Sequence, residues 1–278
     1  MTVILVKKRS AWEQYHANRE GFGDIEGPSL ARMKESHDRH TKNVEVVLQA
    51  LKNLQVTPWI VDGAETMFRA IPGDVVLAVG GDGTFLSASH NVGPGVSIMG
   101  INSDPKFSRG RFCTVLYPTN AQKVLSKALK KRSAQYHVPR MAVRINGHEV
   151  ARRILNEALY SHTCPAAMTR VVHSKVRYAC SGLWVGTGAG STGALRSAGG
   201  KVAPLRSQLL QTVIREPFET GKKGPVVLCK KRFEFVGKTA DATLYLDGPF
   251  LRVPVSFDQT MEFVVSEEPL TLVGPIPT

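Results

Sequence analysis

GDVVLAVGGDGTFLSASH, residues 73–90, indicates how the first half of the chain folds. Its VVLAV segment is a continuous apolar run, which is typical of a strand buried on both faces of a parallel sheet. The run ends in Gly80-Gly81-Asp82-Gly83, and FLSASH then begins a predicted helix. A buried strand, a glycine turn and a helix in this order favour an α/β domain.

The segments on either side continue this alternation of strands and helices. Strands are predicted at residues 3–6, 56–61 and 96–102, and helices at 30–54 and 120–132. The run at 96–102 is again almost entirely apolar, as expected for a second buried strand of the same sheet. We therefore predict an α/β N-terminal domain over residues 1–120.

The second half has a different pattern. RMAVRING (140–147), KRFEFVG (231–237) and ATLYLDG (242–248) alternate apolar and polar residues with period two, and turn residues follow at short intervals. Such segments are typical of antiparallel sheets. We predict a mostly antiparallel, β-rich domain over residues 121–278. As an alternative, its last residues pack back on the first domain.

Composition limits the class of protein. The 278 residues are 42% hydrophobic and 21% charged, which is typical of a globular chain. No apolar run approaches the roughly 18 residues that a membrane-spanning helix requires. The basic trio in MTVILVKKRS follows the apolar residues, whereas a signal peptide begins with its charges. We expect a cytoplasmic protein.

The net charge of +13 allows a nucleic acid, an anionic membrane surface or a polyanionic small molecule as partner. Three basic clusters, at residues 7–9, 130–132 and 230–232, lack the interleaved aromatics of an RNA-binding sheet. We interpret them as solvated faces. We expect no nucleic-acid or membrane partner, and the charge fits two polyanionic nucleotides.

Cysteines and histidines give no strong signal. The four cysteines form no CxxC pair, so we expect free thiols in a reducing compartment. His37 and His40 are three residues apart and share one helix face. A metal site there lacks a third ligand, and a partly exposed helix face is the favoured interpretation, so we predict no protein-held metal site.

The turn Gly80-Gly81-Asp82-Gly83-Thr84 is the strongest candidate site. Glycines allow backbone N–H groups to approach a ligand, and the helix N-terminus that follows is a common phosphate site. The Asp82 carboxylate has the chemistry to bind magnesium or to take a proton from an attacking hydroxyl. The alternative is a tight turn in which Asp82 caps the helix.

A second glycine-rich segment, GTGAGSTG, spans residues 186–193. Backbone N–H and hydroxyl groups in such a run can wrap polyphosphate oxygens. It fits GxGxxG, but the short ALRSA helix and the antiparallel surroundings argue against a dinucleotide fingerprint of the βαβ type. A flexible glycine turn is the alternative.

Two shorter segments are weaker candidates. Asn156 and Glu157 are predicted to end a strand, where an amide and a carboxylate can hold the hydroxyls of a ribose. A surface pair without function is the alternative. Asn102-Ser103-Asp104-Pro105 ends the 96–102 strand and is expected to face the same crevice as Asp82, the alternative being an Asx turn.

Together, and in this order, GGDGT, Asn156-Glu157, GAGSTG and Ser197-Ala198-Gly199-Gly200 resemble the NAD kinase family over residues 74–250. GINSDP and Ser181-Gly182 look like the mitochondrial and plant NADH-kinase branch, so the mitochondrial matrix is an alternative location. The resemblance implies a Rossmann-like N-terminal domain of the phosphofructokinase and diacylglycerol kinase type. It also implies a homodimer or homotetramer.

The resemblance further implies transfer of the γ-phosphate of ATP, with Mg²⁺, to the 2′-hydroxyl of the adenosine ribose of NAD or NADH. Asp82 would be the general base or would orient that hydroxyl. The other implied binding residues are Gly80, Gly81, Gly83 and Thr84 for phosphates, Asn156 and Glu157 for ribose hydroxyls, and Asn102, Asp104, Thr187, Gly188, Gly190, Ser191, Thr192 and Ser197.

Because of three departures from the family pattern, the sequence does not decide which molecule accepts the phosphate. Ser181 replaces a carboxylate, Ala194 lies near the usual tyrosine, and GINSDP replaces a glycine-rich segment. A lipid or sphingoid kinase that shares GGDGT, and a dinucleotide sensor without activity, remain as alternatives.

Overall fold

The computed structural model describes residues 1–18, 25–63, 66–108, 110–130, 132–218 and 227–275. The chain forms two compact units. The first comprises Met1–Tyr136 and the segment that begins at Thr271, and the second comprises His137–Leu270. Helix 121–129, predicted to belong to the β-rich domain 121–278, lies in the first unit.

The first unit contains the alternating elements. They are β1 (Val3–Lys7), α1 (Ala11–Ala17), α2 (Gly27–Asn53), β2 (Trp59–Asp62), β3 (Val75–Gly80), α3 (Asp82–Ser89), β4 (Ser97–Asn102), β5 (Cys113–Thr114), α4 (Ala121–Leu129) and β6 (Gln135–Val138). Within the described residues, none of the helices combines the length and the hydrophobicity that crossing a bilayer requires.

The remaining elements are almost all strands. They are β7 (Met141–Ile145), β8 (His148–Ile154), β9 (Glu157–His162), β10 (Thr169–His173), β11 (Val176–Cys180), β12 (Gly182–Gly186), α5 (Ala194–Ser197), β13 (Leu210–Arg215), β14 (Val227–Lys230), β15 (Arg232–Gly237), β16 (Ala242–Leu246), β17 (Leu251–Val255), β18 (Thr260–Val265) and β19 (Leu270–Val273). A 3-10 turn, Gly190–Thr192, precedes α5.

The sheet of the first unit has the order β2-β1-β3-β4-β19-β6, with β5 beside β4. β1, β3, β4 and β19 pair in parallel. Leu5 and Leu77 pack on one face against Val47 and Leu51 of α2. Val76, which points to the other face, is also fully buried. Burial of both faces explains the continuous apolar runs, and the predicted α/β half is confirmed.

The second unit contains two antiparallel sheets, with the orders β11-β10-β15-β18-β7-β8 and β14-β13-β12-β9-β16-β17. Their inner faces share one core, in which Phe233, Phe235 and Phe263 of the first sheet belong to the same cluster as Tyr160 and Leu244 of the second. The period-two segments supply these inner residues at every second position. The predicted antiparallel, β-rich half is therefore confirmed.

Candidate active-site motifs

The glycine turn of the first unit joins β3 to α3 at the carboxyl edge of the parallel sheet. Gly80 pairs with Asn102 of the neighbouring strand β4. A Cβ atom at Gly80 would lie only 2.2 Å from Thr84 Oγ1, so a side chain there would collide with the first turn of α3. Glycine at this position is therefore required for the close packing of the strand end on the helix.

Asp82 is the first residue of α3, and Gly81 is the N-cap, without a side-chain capping bond. The alternative of Asp82 as helix cap is thus wrong. Its carboxylate accepts hydrogen bonds from the backbone N–H groups of Arg111 (2.8 Å) and Phe112 (3.1 Å). Since a carboxylate has about four acceptor positions, acceptor capacity remains for a ligand hydroxyl or a solvated cation.

A buried thiol lies beside this carboxylate. Burial, followed by the charge of Asp82, raises the pKa of Cys113, so the thiol stays neutral. A Cβ atom at Gly110 would lie 3.2 Å from Asp82 Oδ1, which shows how closely the 110–113 segment covers the carboxylate. This segment was not predicted as part of the site because its sequence, GRFC, matches no recognised ligand-binding pattern.

Asn102 organises the loop after β4. Its side-chain amide donates to the Ser108 carbonyl oxygen (2.9 Å), and its Oδ1 accepts from the Asp104 N–H (2.9 Å). A Cβ atom at Gly81 would lie 3.1 Å from Ser108 Oγ, so this loop lies against the glycine turn. The side-chain contacts of Asn102 are those of the Asx turn named as the alternative.

Asp104 is buried and turned toward α2. Its carboxylate accepts hydrogen bonds from Ser36 Oγ (2.5 Å) and from Arg39 Nε (2.7 Å). The expectation that Asp104 faces the crevice of Asp82 is therefore corrected, because the α2 side chains hold its carboxylate. Arg39 also binds Glu35, and hydrogen bonds from Lys106 and Arg39 lower the pKa of Glu35 to about 2.

His40 and Lys8 lie in the same polar cluster. His40 is 3% exposed and lies 2.8 Å from Ser103 Oγ, so the expected partly exposed histidine face is wrong at this residue. Burial, then the charge of Lys8, lowers the pKa of His40 to about 4 and keeps the ring neutral at pH 7. The backbone N–H of Lys8 donates to Val79, which sets Lys8 beside the glycine turn.

In the second unit, Asn156 and Glu157 lie where β8 gives way to β9. β8 ends at Ile154 and Glu157 is the first residue of β9, so the prediction that the pair ends a strand is wrong. The cause is a distant carboxylate: Asp247 accepts hydrogen bonds from the N–H groups of Leu155, Asn156 and Glu157. These N–H groups are therefore not available to a sheet ladder.

Two oxygen atoms of this turn have no hydrogen-bond partner among the described residues. They are Asn156 Oδ1 and Glu157 Oε2, and both atoms are buried. A buried polar atom without a partner costs about 1–3 kcal/mol, so such atoms point to a ligand. Burial, then the Asp247 charge, raises the pKa of Glu157 to about 8.

The glycine loop 186–193 lies directly on the Asn156-Glu157 turn. The Thr187 N–H donates to the Asn156 carbonyl oxygen (2.9 Å), and Thr187 Oγ1 donates to the Leu155 carbonyl oxygen (2.5 Å). A Cβ atom at Gly190 would lie 2.4 Å from Asn156 O. The loop is thus buried and bonded, which corrects the alternative of a flexible turn.

The other loop residues divide into buried and exposed groups. Ser191 is fully buried and its hydroxyl donates to the Gly188 carbonyl oxygen. A Cβ atom at Gly188 would lie 2.2 Å from Pro204 O. Thr192 and Ser197 are exposed on the solvent side. The two buried hydroxyls, of Thr187 and Ser191, therefore shape the loop from inside.

A cavity of about 370 Å³ opens beside Glu157. Glu157 shares this cavity with Ser181 and Trp184 of the adjoining strand region and with Arg215 and Tyr245. Sequence reasoning missed Trp184 and Tyr245 because both were interpreted only as strand residues. Their alternation with core residues is the signal that places them on the outer face of the sheet.

The comparisons with known proteins agree with this set of motifs. A family profile described as the ATP-NAD kinase N-terminal domain matches residues 24–133. A "Probable NADH kinase" of Oryza sativa subsp. japonica is 30% identical over 71% of this chain and 69% of its own length. The "NADH kinase" of Arabidopsis thaliana is 30% identical over 90% of this chain and 88% of its own length.

The chain belongs to the NAD kinase family. A solved NAD kinase of Archaeoglobus fulgidus, in complex with ATP, shares its fold with a TM-score of 0.63 and 24% identity. That likeness covers 98% of this chain and 93% of the other. The α/β and antiparallel halves of this NAD kinase family member are thus those of the solved fold.

Ser181 occupies the position at which the resemblance to the NAD kinase family predicted a carboxylate. The Ser181 hydroxyl donates a hydrogen bond to the carboxylate of Glu216, the residue that follows β13. Glu216 has a positive φ of 47°, which turns the chain at the end of the strand. A carboxylate is therefore present beside Ser181, supplied by a neighbouring strand end.

Proposed function

We propose that this chain transfers the γ-phosphate of ATP to the 2′-hydroxyl of the adenosine ribose of NAD or NADH, giving NADP or NADPH. The observation that carries the proposal is the Asn156-Glu157 turn beneath the glycine loop of this NAD kinase family member. Within the described part of the chain, Asn156 Oδ1 and Glu157 Oε2 have no hydrogen-bond partner. Dinucleotide ribose hydroxyls are donors of the kind these atoms need.

The donor phosphates are assigned to the glycine turn of the first unit. Gly81 and Gly83 leave the backbone N–H groups at the start of α3 accessible, and a helix N-terminus favours negative charge. Lys8, held beside this turn by its hydrogen bond to Val79, adds a positive charge. Phosphoryl transfer depends mostly on positioning and electrostatic stabilisation, and these groups supply both.

Asp82 is assigned as the general base or as the group that orients the acceptor hydroxyl. Its half-buried carboxylate is held by Arg111 and Phe112 and keeps acceptor capacity for one more donor. Fixed geometry of this kind is what a base requires, since proton transfer needs a heavy-atom distance of about 2.6–3.2 Å.

Mg²⁺ fits this site as a companion of ATP. In the described part of the chain, no three His, Cys, Asp or Glu side chains cluster as a metal cage. Mg²⁺ is commonly held by one or two carboxylates together with substrate phosphates, and Asp82 at the glycine turn matches that pattern. When bound with ATP, the ion neutralises charge on the phosphate oxygens.

NADH is the acceptor that we favour. Both plant relatives are named NADH kinases. The cavity beside Glu157 is lined in part by Trp184 and Tyr245, whose aromatic faces can stack a nicotinamide ring in either redox state.

We also propose that the chain forms a homodimer or homotetramer. Its proposed location is the cytoplasm, with the mitochondrial matrix as the alternative. We further propose that the first unit is Rossmann-like and related to phosphofructokinase and diacylglycerol kinase. The comparisons lend no support to a lipid kinase or to an inactive sensor.

A comparison of phosphate acceptors tests the proposed kinase activity against these alternatives. Purified chain is supplied with γ-labelled ATP and Mg²⁺ and offered NADH, NAD or sphingosine-containing vesicles in separate reactions. We expect label in the dinucleotides, with faster transfer to NADH than to NAD. Label in the lipid alone would support the lipid kinase, and dinucleotide binding without transfer would support the sensor.

A further inference from the structure

Asp247 makes a concentrated set of hydrogen bonds with the Asn156-Glu157 turn. Its Oδ2 accepts from the Leu155 N–H at 2.7 Å, and its Oδ1 accepts from the N–H groups of Asn156 (2.7 Å) and Glu157 (3.1 Å). Its own N–H donates to the Glu157 carbonyl oxygen at 2.9 Å. Four hydrogen bonds therefore join one residue to three consecutive residues about 90 positions away.

The backbone of Asp247 favours this arrangement. The residue follows β16, whose last residue Leu246 pairs with Ala158 of β9. Asp247 has a positive φ of 50°, which is uncommon outside glycine and which turns its carboxylate across to the neighbouring strand. An Asp-Gly turn needs no long-range side-chain bonds, so the three N–H contacts are an additional feature of this site.

A buried cation, Arg140, interacts electrostatically with the Asp247 carboxylate. Arg140 is fully buried, and its Nε donates to the Glu268 carbonyl oxygen at 2.7 Å. Burial, then the Arg153 charge, lowers the pKa of Arg140 to about 10, while the charges of Glu268 and Asp247 oppose the change. The charge of Asp247 thus acts on Arg140, while its carboxylate is hydrogen-bonded to the turn.

We propose that Asp247 is a positioning residue for the dinucleotide: its carboxylate fixes the 155–157 turn so that Asn156 Oδ1 and Glu157 Oε2 face the ligand hydroxyls. The inference rests on the proposed function, since it names the residue that orders that same binding site. The glycine loop presses on the turn from the opposite side, through Thr187 and Gly190. The turn is therefore held between a carboxylate and a loop, and its unpartnered oxygens have little freedom.

The charge of Asp247 has a second effect, on Glu157. No ion pair with Glu157 occurs among the described residues, while Asp247 faces it from the end of β16, and His162 and Arg215 line the same cavity. Removal of the Asp247 charge therefore lowers the pKa of Glu157.

The variant Asp247→Asn tests the inference, because the amide keeps the shape but cannot accept at both positions. Asp258→Asn is the matched control, since Asp258 is also an aspartate with positive φ in a turn and its carboxylate pairs with Lys238. We expect the KM for NADH to rise about 10- to 100-fold in Asp247→Asn, as for a lost charge-assisted bond, with a smaller change in kcat. The KM for ATP in Asp247→Asn, and the KM for NADH in the control Asp258→Asn, are expected to stay within about twofold of the wild-type values.

Two readouts separate this inference from the proposed function. Hydrogen exchange at the 155–157 amides needs no activity, and we expect it to accelerate in Asp247→Asn and not in the control. The pH dependence of NADH binding, by calorimetry, is expected to shift its inflection from about pH 8 to a lower value. Unchanged exchange would overturn the positioning role whether or not the chain is a kinase.

A second substitution tests the inference if Asp247→Asn fails to fold. Asp247→Glu keeps the charge but displaces it by one methylene, and we expect it to restore the pH inflection and not the KM. Equal KM values for wild type and a folded Asp247→Asn would contradict the inference. Absence of kinase activity in the wild type alone would count against the proposed function and not against Asp247.

Discussion

The backbone of Gly190 lies so close to Asn156 that a Cβ atom at Gly190 would be 2.4 Å from the Asn156 carbonyl oxygen. The same atom would be 2.8 Å from Glu157 Oε2, a buried oxygen that has no hydrogen-bond partner among the described residues. Two motifs that are more than 30 residues apart in sequence thus form one piece of structure in the second unit.

The first prediction concerns this contact. Gly190→Ala is expected to displace the loop from the turn and to lower kcat/KM for the dinucleotide at least tenfold, because a 2.4 Å approach to a carbonyl cannot be relieved by a side-chain movement. Gly193→Ala is the control, since the nearest atom to its Cβ would be 3.6 Å away. Equal losses in both variants, measured by initial rates, would argue against the contact.

The second prediction concerns Asp82. Asp82→Asn is expected to lower kcat by about 10²- to 10⁴-fold, the usual contribution of a general base, with a smaller change in the KM for NADH. Thermal unfolding should show a folded variant. Asp38→Asn serves as the control because Asp38 forms only an exposed pair with Lys34 on α2. Near-normal turnover of Asp82→Asn would remove the catalytic role.

The third prediction concerns stability and pH. Burial raises the pKa of Glu157 from 4.5 to about 8, so the folded chain holds this proton more tightly than the unfolded chain does. The stability contribution of Glu157 is therefore greatest below about pH 4.5 and is lost as pH rises toward 8. Glu157→Gln should remove this loss.

Melting curves of wild type and Glu157→Gln between pH 5 and 9 (about the range that linkage makes informative) check this expectation. The difference in melting temperature should grow in favour of the variant up to about pH 8 and then level off. The same variant should bind NADH more weakly. A difference that is independent of pH would mean that Glu157 titrates normally in the folded chain.

The fourth prediction concerns Arg39, which joins α2 to the loop after β4. Arg39→Ala is expected to destabilise the first unit by about 2–4 kcal/mol, because it leaves the buried carboxylate of Asp104 without its cation. It also removes a guanidinium that lies 4.6 Å from the Phe107 ring centre. Lys34→Ala, which breaks an exposed pair, should cost less than about 1 kcal/mol in the same urea titration.

Local patterns predicted the architecture well. The VVLAV run is a strand with both faces buried, and β-rich segments such as KRFEFVG supply the inward-facing Phe233 and Phe235. These outcomes depend on burial at fixed periodicity, which a single segment already displays. Element ends were less accurate: α3, for instance, begins at Asp82 rather than at Phe85.

Long-range polar contacts account for the errors. Asn156-Glu157 was expected at a strand end, but the carboxylate of Asp247 holds its backbone. Asp104 was expected beside Asp82, but Ser36 and Arg39 hold it against α2. These partners are between 65 and 91 residues apart in the chain, and no local pattern encodes such a pairing.

The measurement that bears most directly on the account is the initial rate of 2′-phosphorylation of NADH and NAD by the purified chain with ATP and Mg²⁺. The product is quantified with a dehydrogenase specific for NADP(H), and the position of the phosphate is verified by phosphorus NMR. We expect NADPH and NADP as products, with the faster rate for NADH and with loss of both products in Asp82→Asn. A folded chain that forms neither product would contradict the proposed kinase activity.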